Sequence, residues 1–230
     1  MKLWNTDEEL FALARRELFT AVVGDCMDKL NLRRQFLPQP IKPLRDDMVT
    51  IGRAMPVIEA DVFGEVYANS ANPLMARPFG LMLRALDDLK TNELYVCAGG
   101  SLNYAMWGEL MSVRAGRCGA AGAIMDGFHR DTPGILAQNF PVFSRGSYAQ
   151  DQGPRGKVID FRVPVEIGQA RIEPGDIVFG DGDGVCVIPQ KAINEVFHQA
   201  IEKARGEKHV RQALESGMPA TEAFETFGIL

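Results

Sequence analysis

Three charged residues carry the best case for chemistry in this chain: Glu109, Arg130 and Asp131, all within the stretch WGELMSVRAGRCGAAGAIMDGFHRDTP at residues 107–133. Asp131 offers a hard carboxylate oxygen for Mg²⁺ or Mn²⁺, and a cation held by one or two carboxylates keeps waters and takes oxygens from its substrate. Arg130 adds a planar fork suited to carboxylate and keto oxygens. A helix predicted from Glu109 to about Cys118 leaves the first-turn N–H groups of Leu110 and Met111 without intrahelical partners, and their partial positive charge suits an anion. Together these groups fit an anionic 2-oxo acid chelated to a divalent metal. Spacing alone leaves a plainer possibility open, in which Arg130-Asp131 is a surface ion pair and Glu109 caps the dipole of its own helix.

The elements around these residues must bring them together. A Gly/Ala-rich turn follows the helix, and the apolar run Ala123-Ile124-Met125 reads as a returning strand that delivers Arg130-Asp131 to a strand end. A helix and its returning strand put Glu109 and Asp131 at one sheet edge, facing one pocket. Gly116, Gly119 and Gly122 match neither dinucleotide nor P-loop spacing and sit after a helix rather than before one, so they predict close helix-to-strand packing. Upstream, Leu94 to Ala98 reads as a buried strand ended by Gly99-Gly100, and residues 99–107 as a loop leading to the site. Downstream, Thr132-Pro133 opens a helix over about Gly134 to Gln138, followed by the strand Val142-Phe143-Ser144.

The flanking chain alternates helical and extended patterns. Thr6-Asp7-Glu8-Glu9 is a capping box for a helix over about residues 7–18, and Thr20 is the expected cap of a second helix ending near Asn31. Asp25 and Asp28 on that helix read as solvent-facing. Three prolines make residues 32–48 an extended connection into the strand Thr50 to Ile58, where Pro56 marks a sheet edge or bulge. Asp61 to Pro78, with Glu65, Asn69 and Asn72, reads as a loop near the pocket, and Gly80 to Leu89 as an amphipathic helix. Lys157 to Val165 alternates, and the runs 177–179 and 185–188 form a hairpin across the turn GDGDG. Asp181 and Asp183 in that turn only echo a calcium loop, because Ala192 stands where a bidentate glutamate is needed. Polar helices over Gln190 to about Gly217 and Pro219 to Phe227 close the chain. The pattern predicts an α/β single domain: N-terminal helices to residue 48, an α/β core over 49–189, and C-terminal helices over 190–230.

Composition narrows the function classes. A net charge of −5 without clustered Lys and Arg argues against nucleic acid or an anionic membrane as partner. Acidic residues 7–9 stand where a secretory signal needs a basic and then apolar run, and no stretch approaches eighteen apolar residues, so the expectation is a cytosolic protein. The four cysteines have no ligand spacing and read as reduced core residues. No serine lies in GxSxG and no Cys/His pair has a local signature, which leaves covalent nucleophilic catalysis without support. His198 and His209 read as exposed. His129 would point away from Arg130 in an extended segment and is a candidate substrate-contact or acid/base residue.

The series WGELMS, RCGAAGAIMDG, HRD, PVFSRG and PGDIVFGDGDGVCVIP, in order over about Val49 to Pro189, resembles the RraA-like family. That family includes the class II 4-hydroxy-4-methyl-2-oxoglutarate/4-carboxy-4-hydroxy-2-oxoadipate aldolases. The resemblance implies an αββα sandwich of the swivelling β/β/α type, assembled as a homotrimer or homohexamer with sites between subunits. It implies that Asp131 is the Mg²⁺ or Mn²⁺ ligand, that Arg130 holds the substrate's keto and carboxylate oxygens, and that Glu109 orders metal-bound water. Gly108, Glu109, Leu110 and Met111 would supply the loop that binds the pyruvoyl carboxylate. The implied reaction is retro-aldol cleavage to pyruvate, with oxaloacetate decarboxylation as a side activity of the same electron sink. Two other outcomes stay open: a lyase for a different 2-keto acid, and a non-catalytic regulator that binds a ribonuclease complex, as some relatives do. The chain departs from the best-studied aldolases in carrying Glu109 where they have Asp, and Thr91-Asn92-Glu93 where Pro-Gly-Asp is usual.

Overall fold

The computed structural model describes residues 3–62 and 70–229. In chain order the elements begin with α1 (Asp7–Glu17), α2 (Thr20–Lys29), β1 (Lys42–Pro43), β2 (Thr50–Asp61), α3 (Met82–Asp88) and β3 (Glu93–Ala98). The middle of the chain forms β4 (Ala105–Trp107), α4 (Glu109–Arg117), β5 (Gly122–Met125), β6 (Phe128–His129), α5 (Thr132–Ala137) and β7 (Val142–Ser144). Then come β8 (Gly156–Phe161), β9 (Val165–Ile167), β10 (Ala170–Ile172), β11 (Ile177–Asp181), β12 (Gly184–Ile188), α6 (Ile193–Glu215) and α7 (Ala220–Phe227). Contacts divide the chain into two compact units, residues 34–190 and the helical segments 1–33 with 191–230.

The larger unit is mixed α/β, as the alternating pattern predicts. Its main sheet runs β1-β7-β5-β3-β2-β11-β12, with β8 added along the far half of β2. Side chains on a strand alternate between faces, and this sheet buries both. Leu94 and Val96 of β3 join Ile124, Phe143, Ile167 and Ile172 in one core, which the β9–β10 hairpin covers. Tyr95 and Cys97 face the other way, into a core with Met82, Leu86, Ala115 and Ile135 from α3, α4 and α5. A two-stranded parallel pair, β4 with β6, stands apart from the main sheet.

Pro56 is not at a sheet edge. It lies within β2, paired with Val96 of the parallel neighbour β3. On its other side β2 passes from β11, which pairs through Arg53, to β8, which pairs from Val57 onward. The missing N–H falls in that handover, where the Pro56 carbonyl still accepts from the Arg162 N–H at 2.7 Å. A single strand with two successive partners therefore tolerates proline at its centre, and a register shift follows at Ile58/Glu59.

In the helical unit, Thr6 accepts from the Glu9 N–H at 3.3 Å, while the Glu9 carboxylate takes the Asn5 N–H at 2.6 Å. Thr20 is not a cap; it is the buried first residue of α2, and Phe19 holds the cap position without a side-chain bond. Asp25 and Asp28 are exposed, with Asp25 paired to Lys203 of α6. His198 and His209 are exposed, His198 against the Trp4 ring at 4.3 Å. Among the described residues no helix is long and apolar enough to cross a membrane.

Arg162 ties the main sheet to α3. Its guanidinium grips both Glu93 oxygens at 2.7 and 2.8 Å, the Asp88 carboxylate, and the Asp88 carbonyl at 2.9 Å. Hydrogen bonds to charged, half-buried groups of this kind contribute about 1.5–3 kcal/mol. Arg162→Ala is expected to lose stability of that order in urea unfolding, and a loss below about 0.5 kcal/mol would show the cluster to be a solvated surface feature.

Candidate active site

Two very short strands build the site. β4 and β6 run parallel with Trp107 opposite His129, so the residues just beyond each, Gly108-Glu109 and Arg130-Asp131, emerge side by side. The Arg130 N–H donates to the Trp107 carbonyl at 2.9 Å, which fixes that register. The delivering strand is therefore β6 and not the Ala123–Met125 run, from which Asp126-Gly127 separates it. The expected loop over residues 99–107 contains β4, all three residues of which are buried.

Trp107 anchors the strand-to-helix junction. Its ring stacks on Phe140 and tilts against Tyr95, and its indole N–H donates to Ser112 Oγ of α4 at 2.8 Å. Gly108 is the N-cap of α4, and the helix starts at Glu109. The Glu109 N–H donates to Asp131 Oδ2 at 3.3 Å, so one of the four unpaired first-turn donors already meets the proposed metal ligand. A Cβ at position 108 would lie 2.7 Å from that same oxygen. Asp131 itself is in the left-handed region at φ 59°, a conformation that aspartate tolerates better than most residues and that turns the chain from β6 into α5.

Arg130 lies between two carboxylates. Its Nη1 pairs with Asp151 Oδ1 at 2.8 Å and its Nε faces Asp131 Oδ2 at 3.7 Å. These groups stand at a cavity of about 430 Å³ that Gly108, Leu110 and Met111 also line. The structure thus brings together Gly108, Leu110, Met111, Arg130 and Asp131. The Glu109 side chain takes a different course: its carboxylate is exposed and rests against Gly134 in the first turn of α5, outside that lining.

Among the described residues no group of three or more His, Cys, Asp or Glu is placed to cage a metal ion. One exposed carboxylate does not fit a zinc cage. It suits Mg²⁺ or Mn²⁺, which keep several waters and are completed by substrate oxygens, while the neighbouring N–H groups suit an anion.

His129 is buried between Ser144 Oγ at 2.7 Å and Thr132 Oγ1 at 3.0 Å, and burial lowers its pKa. Both ring nitrogens are occupied, so it holds β7 and the start of α5 in place. Asp61 accepts from the Ser101 N–H and the Tyr104 hydroxyl, and Asn72 caps a short turn at Leu74. Glu65 and Asn69 lie outside the described residues.

Sequence reasoning missed Asp151, Gln152 and Phe79, which also line the cavity. Buried Lys157 donates to the carbonyls of Arg77 and Pro78 and so holds Phe79 over it. Glu59 was also missed. It is buried beside Cys97 and Tyr104, and burial pushes its pKa up to about 8.

The family described as RraA-like, Aldolase/RraA, matches residues 20–187. The chain belongs to the RraA-like family. A relative in Halalkalibacterium halodurans, named provisionally as a 4-hydroxy-4-methyl-2-oxoglutarate aldolase, is 29% identical over 91% of this chain and 90% of its own length. Protein DlpA of Legionella pneumophila is 28% identical over 90% of this chain, which spans 32% of that longer protein. The crystal structure of RraAS2 from Streptomyces coelicolor, an unusual member of the RNase ES inhibitor RraA family, superposes with a TM-score of 0.76 at 22% identity, over 90% of this chain and 98% of that one. That likeness shows a shared fold.

Two measurements follow from this RraA-like site. In Gly108→Ala the added methyl crowds Asp131 Oδ2 off the Glu109 N–H, and hydrogen exchange of that amide is expected to speed about tenfold; unchanged exchange would contradict the contact. Glu59 keeps its proton when folded, while the unfolded chain releases it above about 4.5, so stability falls as pH rises from there to about 8. Glu59→Gln removes that slope, and its Tm gain over the wild type is expected to be larger near pH 9 than near pH 5; an equal gain at both would contradict the assignment.

Proposed function

We propose that this RraA-like chain is a divalent-metal-dependent lyase that cleaves 4-hydroxy-2-oxo acids such as 4-hydroxy-4-methyl-2-oxoglutarate to pyruvate, with oxaloacetate decarboxylation as a side reaction. The observation that carries it is the placing of Arg130 and Asp131 beside the start of α4 at the mouth of one cavity. The aldolase names of several relatives agree with it.

The N–H groups of Leu110 and Met111 bind the substrate carboxylate, and the Arg130 fork lies along the keto oxygen. Asp131 would hold Mg²⁺ or Mn²⁺, which would supply Lewis-acid charge to the substrate. The C4 hydroxyl proton passes to a water, which the Glu109 carboxylate orders only by leaving its place against Gly134. The C4–O electrons form the new carbonyl as the C3–C4 bond breaks, and the pair left on C3 spreads into an enolate whose oxygen faces Arg130. Protonation at C3 gives pyruvate. Fixed charges aimed at the developing enolate do most of the work, and no Schiff-base lysine is required.

Pyruvate release with Mg²⁺ tests this directly. Asp131→Ala and EDTA are each expected to abolish turnover, and Arg130→Ala to lower kcat about 10²–10³-fold. Full activity in Asp131→Ala would rule the assignment out.

A further inference from the structure

Among the described residues, two buried side-chain atoms have no hydrogen-bond partner: Glu59 Oε1 and Gln152 Nε2. One is an acceptor and the other a donor, and they belong to one cluster, in which the Gln152 amide favours the ionised form of Glu59. Glu59 enters the cluster from β2. Its Oε2 lies 3.7 Å from Cys97 Sγ of β3, while its Oε1 and the Tyr104 hydroxyl crowd Gly156, where a Cβ would lie 2.3 Å from each.

Gln152 is buried and yet lines the cavity at Arg130. Its neighbour Asp151 pairs with Arg130 Nη1 at 2.8 Å through one oxygen and accepts the Gly153 N–H at 3.1 Å through the other. The Gln152 carbonyl accepts from the N–H groups of Arg155 and Gly156 at 2.7 and 2.9 Å, so one hydrogen-bonded turn carries both the Gln152 amide and the carboxylate that clamps Arg130.

The other titratable groups around Glu59 are Asp61 on its own strand, Tyr95 and Cys97 of β3, and Tyr104, which donates to Asp61 at 3.0 Å. Beyond Cys97, Asp126 pairs with Arg145. On the segment that enters β8, Arg155 donates to the Asp151 carbonyl, and Lys157 to those of Arg77 and Pro78. Burial pushes the Cys97 thiol and both phenols up, so among these and Glu59, whose pKa burial raises to about 8, Glu59 loses its proton first. A carboxylate is a stronger acceptor than a neutral carboxyl group, and a buried donor without a partner is costly to leave.

We propose that Glu59 is a positioning residue for the site: protonated, it leaves the turn where Asp151 clamps Arg130, and ionised, it draws in the Gln152 amide and pulls that clamp away. Resting on the aldolase function above, the consequence is a weaker hold on the oxo acid in mildly alkaline solution, because Arg130 grips its oxygens.

Carbon-detected NMR of the full chain, from about pH 6.5 to about pH 9.5, follows the side-chain carboxyl and amide carbons of Glu59, Asp151 and Gln152. In the wild type the Asp151 and Gln152 signals are expected to inflect at the Glu59 midpoint, and in Glu59→Gln both stay flat. In Gln152→Leu, Glu59 is expected to titrate at a higher midpoint, with the Asp151 signal no longer following. An Asp151 signal without that inflection in the wild type, or with it unchanged in either variant, would overturn the proposal. Pyruvate-releasing kcat/KM with Mg²⁺ is expected to fall at least about fivefold from about pH 7 to about pH 9 in the wild type, through KM, and less than about twofold in Glu59→Gln. Equal falls in the two proteins would also overturn it. No pyruvate release at either pH would overturn the aldolase function alone, and the carbon signals would still decide the role of Glu59.

Discussion

The site depends on one backbone constraint: β4 and β6 lie parallel in a register that sets Trp107 opposite His129. Each strand is only two or three residues long, too short to hold its register alone. Backbone bonds of His129 to Gly146 and Tyr148 and neighbouring side chains help to hold it. Trp107 is locked to α4 through Ser112 and to the core through Tyr95 and Phe140, and His129 is pinned to Ser144 and Thr132. A slip of one residue would turn every side chain to the other face and carry Asp131 away from Gly108.

From that register follow the features that resemble a catalytic centre. Asp131 adopts a left-handed backbone and shares an oxygen with the α4 N-terminus, a pattern of local strain that is sustained only where surrounding packing over-determines it. Arg130 is held between Asp131 and Asp151, so its fork is oriented before any ligand arrives. Glu59, Tyr104 and Cys97 are buried together and do not line the cavity.

Much of this was legible in the sequence because periodicity was strong where elements were long. The run at β3 reads as a buried strand, that at β5 as a strand and those at β11–β12 as a hairpin, and they are, and α4 begins at Glu109 as expected. Only the Glu109 N–H meets Asp131, the Glu109 carboxylate lying outside the cavity, and the strand that brings them together is β6, whose two residues carry no period. Capping propensity is a local rule that points to Thr20 as a cap, whereas burial puts it inside the helix. Pro56 misled for the same reason, since only the sheet order reveals a central strand with a gap along one side. Asp151 lies in the long connection between β7 and β8, where neither pattern nor spacing singles it out; its partner across the fold, Arg130, is what gives it meaning.

The central claim is that Asp131 and Arg130 jointly hold a cation and an α-oxo acid. Oxalate, a planar mimic of pyruvate enolate, measures this without turnover when titrated calorimetrically with and without Mg²⁺ into the wild type and Asp131→Asn. The account predicts oxalate binding that requires Mg²⁺ and weakens at least about tenfold in Asp131→Asn. Equal binding by both proteins, or binding indifferent to Mg²⁺, would contradict it.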